Sequence, residues 1–327
     1  MNRREHLLQL GALAAAGAGA PGVFAQGAWP NKPIKLVVPF GAGGSADMLA
    51  RVVAEGLGHS LKQTVVVENK PGATGAIGAT SVARAAPDGY TLLLAFDGTV
   101  AIMPALQPNF PFDPLKDLQP VTKLADVDLV IAVNPAVPAR NIKDLLQYAK
   151  ANPGQLSYAS PGVGSTAQMA GELLRAKAGL DWVHVPYASG SGKFVLDVVG
   201  GSVPAAFISV AVAAPFIADK KLVGVGVPSA QRNRAIPDVP TFRESGVPGF
   251  DAASWFGLSA PAGTPREIVN RLNREVHALL ATPAVARRLQ DAGMNPSLSS
   301  PEDFGQLIRS DLAKWSEVAR TANIKAT

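Results

Sequence analysis

The 327-residue chain contains no cysteine, only four histidines and no concentrated block of charge. Each absence removes a class of chemistry. Without cysteine there is no disulfide and no thiol nucleophile, so an oxidising compartment is tolerated without being exploited. His59, His184 and His277 are far apart, with no ligand-type partner at i+3 or i+4, so no metal site is spelled out. The formal net charge of +5 is spread along the chain. Beyond the N-terminus its only adjacent basic pairs are Lys220-Lys221 and Arg287-Arg288, neither interleaved with aromatics, which leaves no nucleic-acid face. No G-x-S-x-G elbow occurs, and Ser160–Ser165 carries no locally implied base. Ser189–Lys193 fails as a phosphate loop because Tyr187 stands at its first glycine position and Phe194 replaces the hydroxyl residue.

Residues 1–25 read as a secretory signal. Arg3 and Arg4 open it, Leu7 to Ala20 is apolar and uncharged, and Val23-Phe24-Ala25 offers small residues for cleavage before Gln26. The twin-arginine resemblance is loose, because His6 stands where Phe is usual. Cleavage would leave 302 residues with a charge of +4, enough for two domains. No later apolar stretch is long enough to span a bilayer.

The mature sequence alternates strand-like and helix-like runs. Strands are expected at Ile34–Val38, Val65–Glu68, Thr91–Ala95, Leu129–Val133, Leu156–Ala159, Val183–Pro186, Ala205–Ser209 and Leu222–Val227. A helix over Ile142–Ala151 is capped by Asn141 and stopped by Asn152-Pro153-Gly154. This alternation implies parallel sheets covered by helices, an α/β protein. The last quarter reads instead as three helices opened by Thr264-Pro265-Arg266-Glu267, a capping box, and by Thr282-Pro283 and Ser300-Pro301. Proline-rich breaks at Met103–Pro114 and Ile236–Pro248 bracket a central segment, so residues 125–249 are expected as a second domain inserted into a first made of 26–124 plus 250–327. A cleft between such domains is a usual ligand site.

Glycine-rich strand-to-helix loops recur along this pattern: Phe40–Asp47, Pro71–Gly78, Asp97–Thr99, Ser160–Ser165 and Tyr187–Gly192. Such loops bring bare N–H groups to the positive end of a helix and hold anions without a charged side chain. The first also satisfies G-x-G-x-x-[GA] through Gly41, Gly43 and Ala46, with Glu68 placed as a ribose acid, so a dinucleotide is the competing occupant. Asp47 in the first helical turn and the export signal count against it. Several such loops without a nucleophile or metal favour binding over catalysis.

The motifs Trp29-Pro30-Asn31-Lys32-Pro33, Val37-Val38-Pro39-Phe40, Val67-Glu68-Asn69-Lys70-Pro71-Gly72-Ala73, Ala86-Pro87-Asp88-Gly89-Tyr90-Thr91-Leu92, His184-Val185-Pro186-Tyr187, Pro237-Asp238-Val239-Pro240-Thr241 and Ala260-Pro261-Ala262-Gly263-Thr264-Pro265 run in order through the chain. In this order the chain resembles the periplasmic substrate-binding proteins of tripartite tricarboxylate transporters, often called the Bug family. The resemblance implies a type II periplasmic binding protein, two α/β domains closing on a cleft. It also implies that Phe40, Gly41, Ala42, Gly43, Gly44 and Asp47 hold one carboxylate of a small organic acid, through backbone and ordered water. Asp97, Gly98 and Thr99 would complete the pocket, with Ser160, Gly162, Gly164, Ser165, Thr166 and Gln168, and with Tyr187, Ala188, Ser189, Gly190 and Ser191. Thr74, Phe207 and Ser209 are assigned to it as well. Three positions depart from the family pattern: Ala42 replaces a common proline, Gln168 a frequent histidine and Ala188 a frequent lysine.

The expectation is therefore a monomeric, exported, non-enzymatic solute receptor without cofactor or metal. It would deliver a carboxylate to the membrane permease subunits of such a transporter. A ligand sensor for a membrane kinase and an exported α/β enzyme acting on a small acid are the alternatives.

Overall fold

Among the described residues, eleven strands build two sheets. The computed structural model describes residues 29–187, 193–229, 231–248, 250, 252–321 and 323–324. β1 (Ile34–Val38), β2 (Val65–Asn69) and β3 (Thr91–Phe96) are parallel, and they join β4 (Leu118–Val127), β10 (Ser254–Pro261) and β11 (Met294–Pro296) in the order β11-β4-β10-β3-β1-β2. The second sheet has the order β7-β6-β8-β5-β9, from β5 (Leu129–Val133), β6 (Leu156–Ser160), β7 (Trp182–Pro186), β8 (Ala205–Ser209) and β9 (Val223–Gly226). All of this lies within one compact unit, Lys32–Thr327.

Where a strand is covered on both faces its sequence is a continuous apolar run, as in Leu129–Val133, buried throughout. The eight expected strands all form, three with the expected bounds, four extended by one residue at one end, and the last trimmed to Val223–Gly226. The expected parallel pairing holds for β1, β2 and β3 and for β6, β7 and β8, but both sheets are mixed: β10 runs antiparallel to β3 and β4, and β5 antiparallel to β8 and β9. The reason is connectivity. β4 passes to β5 across the single residue Asp128, and the chain returns through a long segment to β10, so these strands enter their sheets from the connecting side. β4 and β10 carry Pro120 and Gly257, which obscured them in the sequence.

Between the strands come α1 (Ser45–Leu61), α2 (Ala76–Ala83), a π-helical turn (Gly98–Ile102), α3 (Met103–Leu106), α4 (Ile142–Ala151), α5 (Thr166–Ala178), α6 (Lys193–Val199) and α7 (Val210–Ala218). α8 (Arg266–Leu280), α9 (Pro283–Asp291) and α10 (Pro301–Thr321) close the chain. Asn141 caps α4, its Oδ1 accepting from Asp144 N at 3.0 Å. The capping box expected at Thr264–Glu267 does not form. Thr264 Oγ1 donates instead to Pro261 O at 2.7 Å, and α8 begins one residue late, after Pro265. α10 lies on the π-helical turn, α3 and β4 and reaches α5. Its Trp315 is buried in a cluster with Ile102, Met103, Ile131, Tyr158, Trp182 and Phe207, so one apolar core joins α10 and the segment after β3 to the second sheet. Each such side chain contributes about 1.5–3 kcal/mol on burial. At the crossing itself, the Asp128 carboxylate accepts from Asn233 at 2.7 Å and from Asn295 of β11 at 3.0 Å. Among the described residues no helix is long and apolar enough to cross a membrane.

Candidate functional site

The parallel strands β1, β2 and β3 end on one edge of the first sheet, and β6 and β8 end on the facing edge of the second. Ligands in open α/β sheets bind outside such carboxyl ends. Register puts Val38 beside Asn69, so the second strand's last residue reaches the first loop. Asn69 Nδ2 donates to Phe40 O at 3.1 Å and to Asp47 Oδ1 at 3.0 Å. Gly43 N donates to Asp47 Oδ2 at 3.0 Å, and Arg51 grips both carboxylate oxygens at 2.9 and 3.1 Å. Arg51, the backbone N–H and the Asn69 amide hold the Asp47 carboxyl at about 2, against the cost of its burial. Asp47 therefore fixes the loop. Gly41, Gly43 and Gly44 stand exposed above it, and no side chain caps α1.

The second loop turns through left-handed Gly72, Thr74 and Gly75, with φ of 126°, 51° and 89°. Glycine is required at Gly75, where a Cβ would press on Thr99 and lie 3.1 Å from Pro39. Thr99 Oγ1 donates to Thr74 O at 2.9 Å, and Thr74 Oγ1 reaches Val163 O at 3.4 Å. The first three loops thus pack together and touch the fourth.

That fourth loop is built on Ser160. His184, opposite Tyr158 in the strand register and stacked on it at 5.0 Å, places Nε2 2.7 Å from Ser160 Oγ. Desolvation pushes the imidazole down to about 4, so His184 is neutral. Ser160 is fully buried and takes Gly162 N at 3.2 Å, which makes the pair a brace for the turn and no exposed nucleophile. Ser165 Oγ accepts from Gln168 N at 3.2 Å while Gln168 Oε1 accepts from Gly164 N at 2.8 Å, a reciprocal cap on α5.

Asp97 sits where the halves meet. Its Oδ1 accepts from Gly98 N at 2.8 Å and Ser254 Oγ at 2.9 Å, and its Oδ2 from Thr166 Oγ1 of α5 at 2.5 Å. It is 1% exposed. Gly98 beside it would carry a Cβ 3.0 Å from Gly164 O and into the Phe96 ring. Gly98→Ala is therefore expected to lower stability by about 1–3 kcal/mol, the usual cost of overpacking, read as a drop in melting temperature.

The structure brings together Phe40–Gly44, Asp47, Thr74, Asp97–Thr99 and Ser160–Gln168. Phe40 packs edge-on to Phe96 at 5.2 Å on the margin of this cluster. Phe207 lies fully buried in the core, edge-on to Tyr158, and Ser209 is half-buried where α7 starts. The Tyr187 hydroxyl donates to Asp197 at 2.6 Å, which pushes it up to about 12 and turns it to α6. Ala188, Ser189, Gly190 and Ser191 lie outside the described residues, as do residues 1–25 with their expected signal and cleavage site. Glu68, the candidate ribose acid, pairs with Lys35 at 2.8 Å and Lys70 at 3.1 Å. Among the described residues no group of three His, Asp or Glu could hold a metal ion. Sequence reasoning missed Asn69, Arg51, His184 and Ser254. The S-x-x-Q pattern at Ser165–Gln168 was a readable capping signal.

Residues 49–324 match the family described as TctC, tripartite tricarboxylate transporter family receptor. The chain belongs to that receptor family. It is 36% identical over 327 residues to Protein BugT of Bordetella pertussis, covering 99% of both chains. A solved structure from R. palustris with adipate superposes with a TM-score of 0.83 at 34% identity, covering 91% of this chain and 99% of that one. MatC from Rhodopseudomonas palustris with bound malate gives 0.79 at 33% identity, covering 89% and 99%. The receptor family is one of periplasmic solute-binding proteins, and its two-domain type II fold is the one described above.

Proposed function

We propose that this chain is an exported receptor that captures a small mono- or dicarboxylate in the cleft between its two sheets and delivers it to the permease subunits of a tripartite tricarboxylate-type transporter. In this reading residues 26–124 plus 250–327 and residues 125–249 form the two lobes, residues 1–25 are removed on export, and the protein acts as a monomer without catalysis. The carrying observation is the convergence of glycine-rich loops at helix N-termini, with Asp47, Asn69, Ser160 and Gln168 spent on holding loop backbone. Neutral N–H donors are thereby left to receive an anion, in place of an arginine fork. The adipate- and malate-bound relatives support the ligand class.

A thermal-shift screen of organic acids, adipate and malate included, against their amides and esters tests this. A carboxylate that binds only the folded form stabilises it by about 2.7 kcal/mol at a hundred times its dissociation constant. Equal shifts from neutral amides, or nucleotides as the sole hits, would overturn the reading.

A further inference from the structure

We propose that Asp97 is a proton-operated latch between the two lobes: the closed cleft is the form in which its carboxyl carries a proton. Its geometry is that of a contact between halves. Asp97 follows β3 of the first sheet, and Ser254 opens β10 of the same sheet, so Oδ1 is satisfied within the first lobe by Ser254 Oγ and Gly98 N. Oδ2 has one partner, Thr166 Oγ1 at 2.5 Å, and Thr166 opens α5 of the second lobe. Separating the lobes breaks that bond and brings water to Oδ2. Closing them buries the carboxyl beneath Gly98, Thr99 and Ser165, all at most 9% exposed.

Among the described residues, the groups facing Asp97 leave nothing to neutralise an anion there. α5 offers Thr166, and its nearest ionisable residue is Glu172, already paired with Arg175 at 2.7 Å. β3, β10, the π-helical turn and α3 contain no ionisable side chain. On β4, Lys123 is paired with Asp126 at 2.5 Å. In the first loop Asp47 is held by Arg51 at 2.9 Å. α10 contributes Asp311, which accepts from Trp255 Nε1 at 2.6 Å and opposes a second negative charge, and Lys314, whose ammonium lies 4.4 Å from the Trp315 ring. Burial, with Asp311 adding to it, pushes the Asp97 carboxyl up to about 7 in the closed form. In the protonated form the 2.5 Å contact reverses, with the Asp97 O–H donating to Thr166 Oγ1.

The sign follows from linkage. The closed form binds the proton more tightly than the open form, so closure is favoured at low pH. It weakens by up to tenfold per pH unit between the ordinary carboxyl value of about 4 and about 7, and stays constant above that. If the protein is the receptor proposed above, capture of its ligand takes up a proton across that window.

The cysteine-free chain allows a direct test. His59→Cys on α1 and Lys150→Cys on α4, both exposed, carry a donor–acceptor dye pair across the two lobes. Without added ligand, energy transfer should report the closed spacing at pH 5 and a shift toward a longer spacing at pH 7.5. Asp97→Asn, fixed in the neutral form, should hold the closed spacing at both. Should that variant fail to fold, Thr166→Val keeps the carboxyl and removes its partner across the lobes, and should show a longer spacing than the parent at pH 5. A parent whose spacing is the same at pH 5 and 7.5, short or long, overturns the latch. So does a shift that persists in Asp97→Asn, or a Thr166→Val spacing equal to the parent's at pH 5. No carboxylate enters this experiment, so the latch and the receptor reading fail separately.

Discussion

Gly44→Val should abolish carboxylate binding and leave the protein folded. At this position the backbone is extended, with φ −87° and ψ 177°, which a β-branched residue adopts readily. A Cβ there meets nothing within 4 Å, so no contact inside the protein is disturbed. The one structural cost is at the N-cap of α1, where valine is poorer than glycine, about 1 kcal/mol or a fall of roughly 2–4 °C in melting temperature. The isopropyl group nevertheless stands over the uncapped N–H groups of the first turn, where an anion must come within hydrogen-bond distance. Calorimetric titration with the acid that gives the largest thermal shift should show affinity reduced at least a hundredfold, a loss of about 2.7 kcal/mol. Unchanged affinity would mean that the glycine serves only the turn. Gly43→Ala is the useful contrast. With φ of 88° at Gly43, any side chain strains the backbone, and that variant should lose stability along with binding.

How far the site could be read in advance depends on the range of the interaction that makes each part. The loops were legible because each is a local event, a β-branched run ending in glycines before a helical repeat. The same holds for Asn141 and α4. The second sheet's central strands were legible because burial on both faces leaves uninterrupted apolar runs. β10 and β11 were not, since their pairing with β4 is antiparallel and joins residues more than a hundred positions apart. The braces behind the loops were invisible for the same reason. Nothing around Asn69 announces that it reaches Phe40, and nothing around Ser254 announces Asp97, 157 residues away. His184 looked unremarkable because its partners, Ser160 and Tyr158, come from the neighbouring strand. What a sequence shows here is where backbone is bare. Which side chains hold that backbone in place is set by sheet register.

Asp47 is the clearest case of such a side chain, and Asp47→Ala should cost both stability and binding. Its carboxylate is 6% exposed and is shared among Gly43 N, Asn69 Nδ2 and two nitrogens of Arg51. Alanine leaves the half-buried Asn69 amide with Phe40 O alone and the Gly43 N–H without its side-chain acceptor, and the loss of bonds of this kind costs about 0.5–1.5 kcal/mol each. The carboxyl titrates at about 2 against an ordinary 3.8, which corresponds to roughly 2–3 kcal/mol by linkage. The Arg51 side chain is 57% exposed, so screening brings that electrostatic part to about 1–2 kcal/mol. Because the value is depressed in the folded state, the stabilisation is fully present above pH 4 and is lost as pH falls toward 2. Asp47→Asn keeps the shape, removes the charge and replaces one of the two acceptor oxygens with an NH2 donor, much as protonation turns one of them into an O–H donor. Denaturant melts of parent and Asp47→Asn should therefore differ most above pH 4 and converge near pH 2. The alanine variant should remain weaker at every pH and bind acids poorly, because its first loop is no longer tied to α1. Parallel pH profiles for the parent and Asp47→Asn would show that the Arg51 pair contributes nothing, leaving Asp47 as a neutral acceptor for the loop.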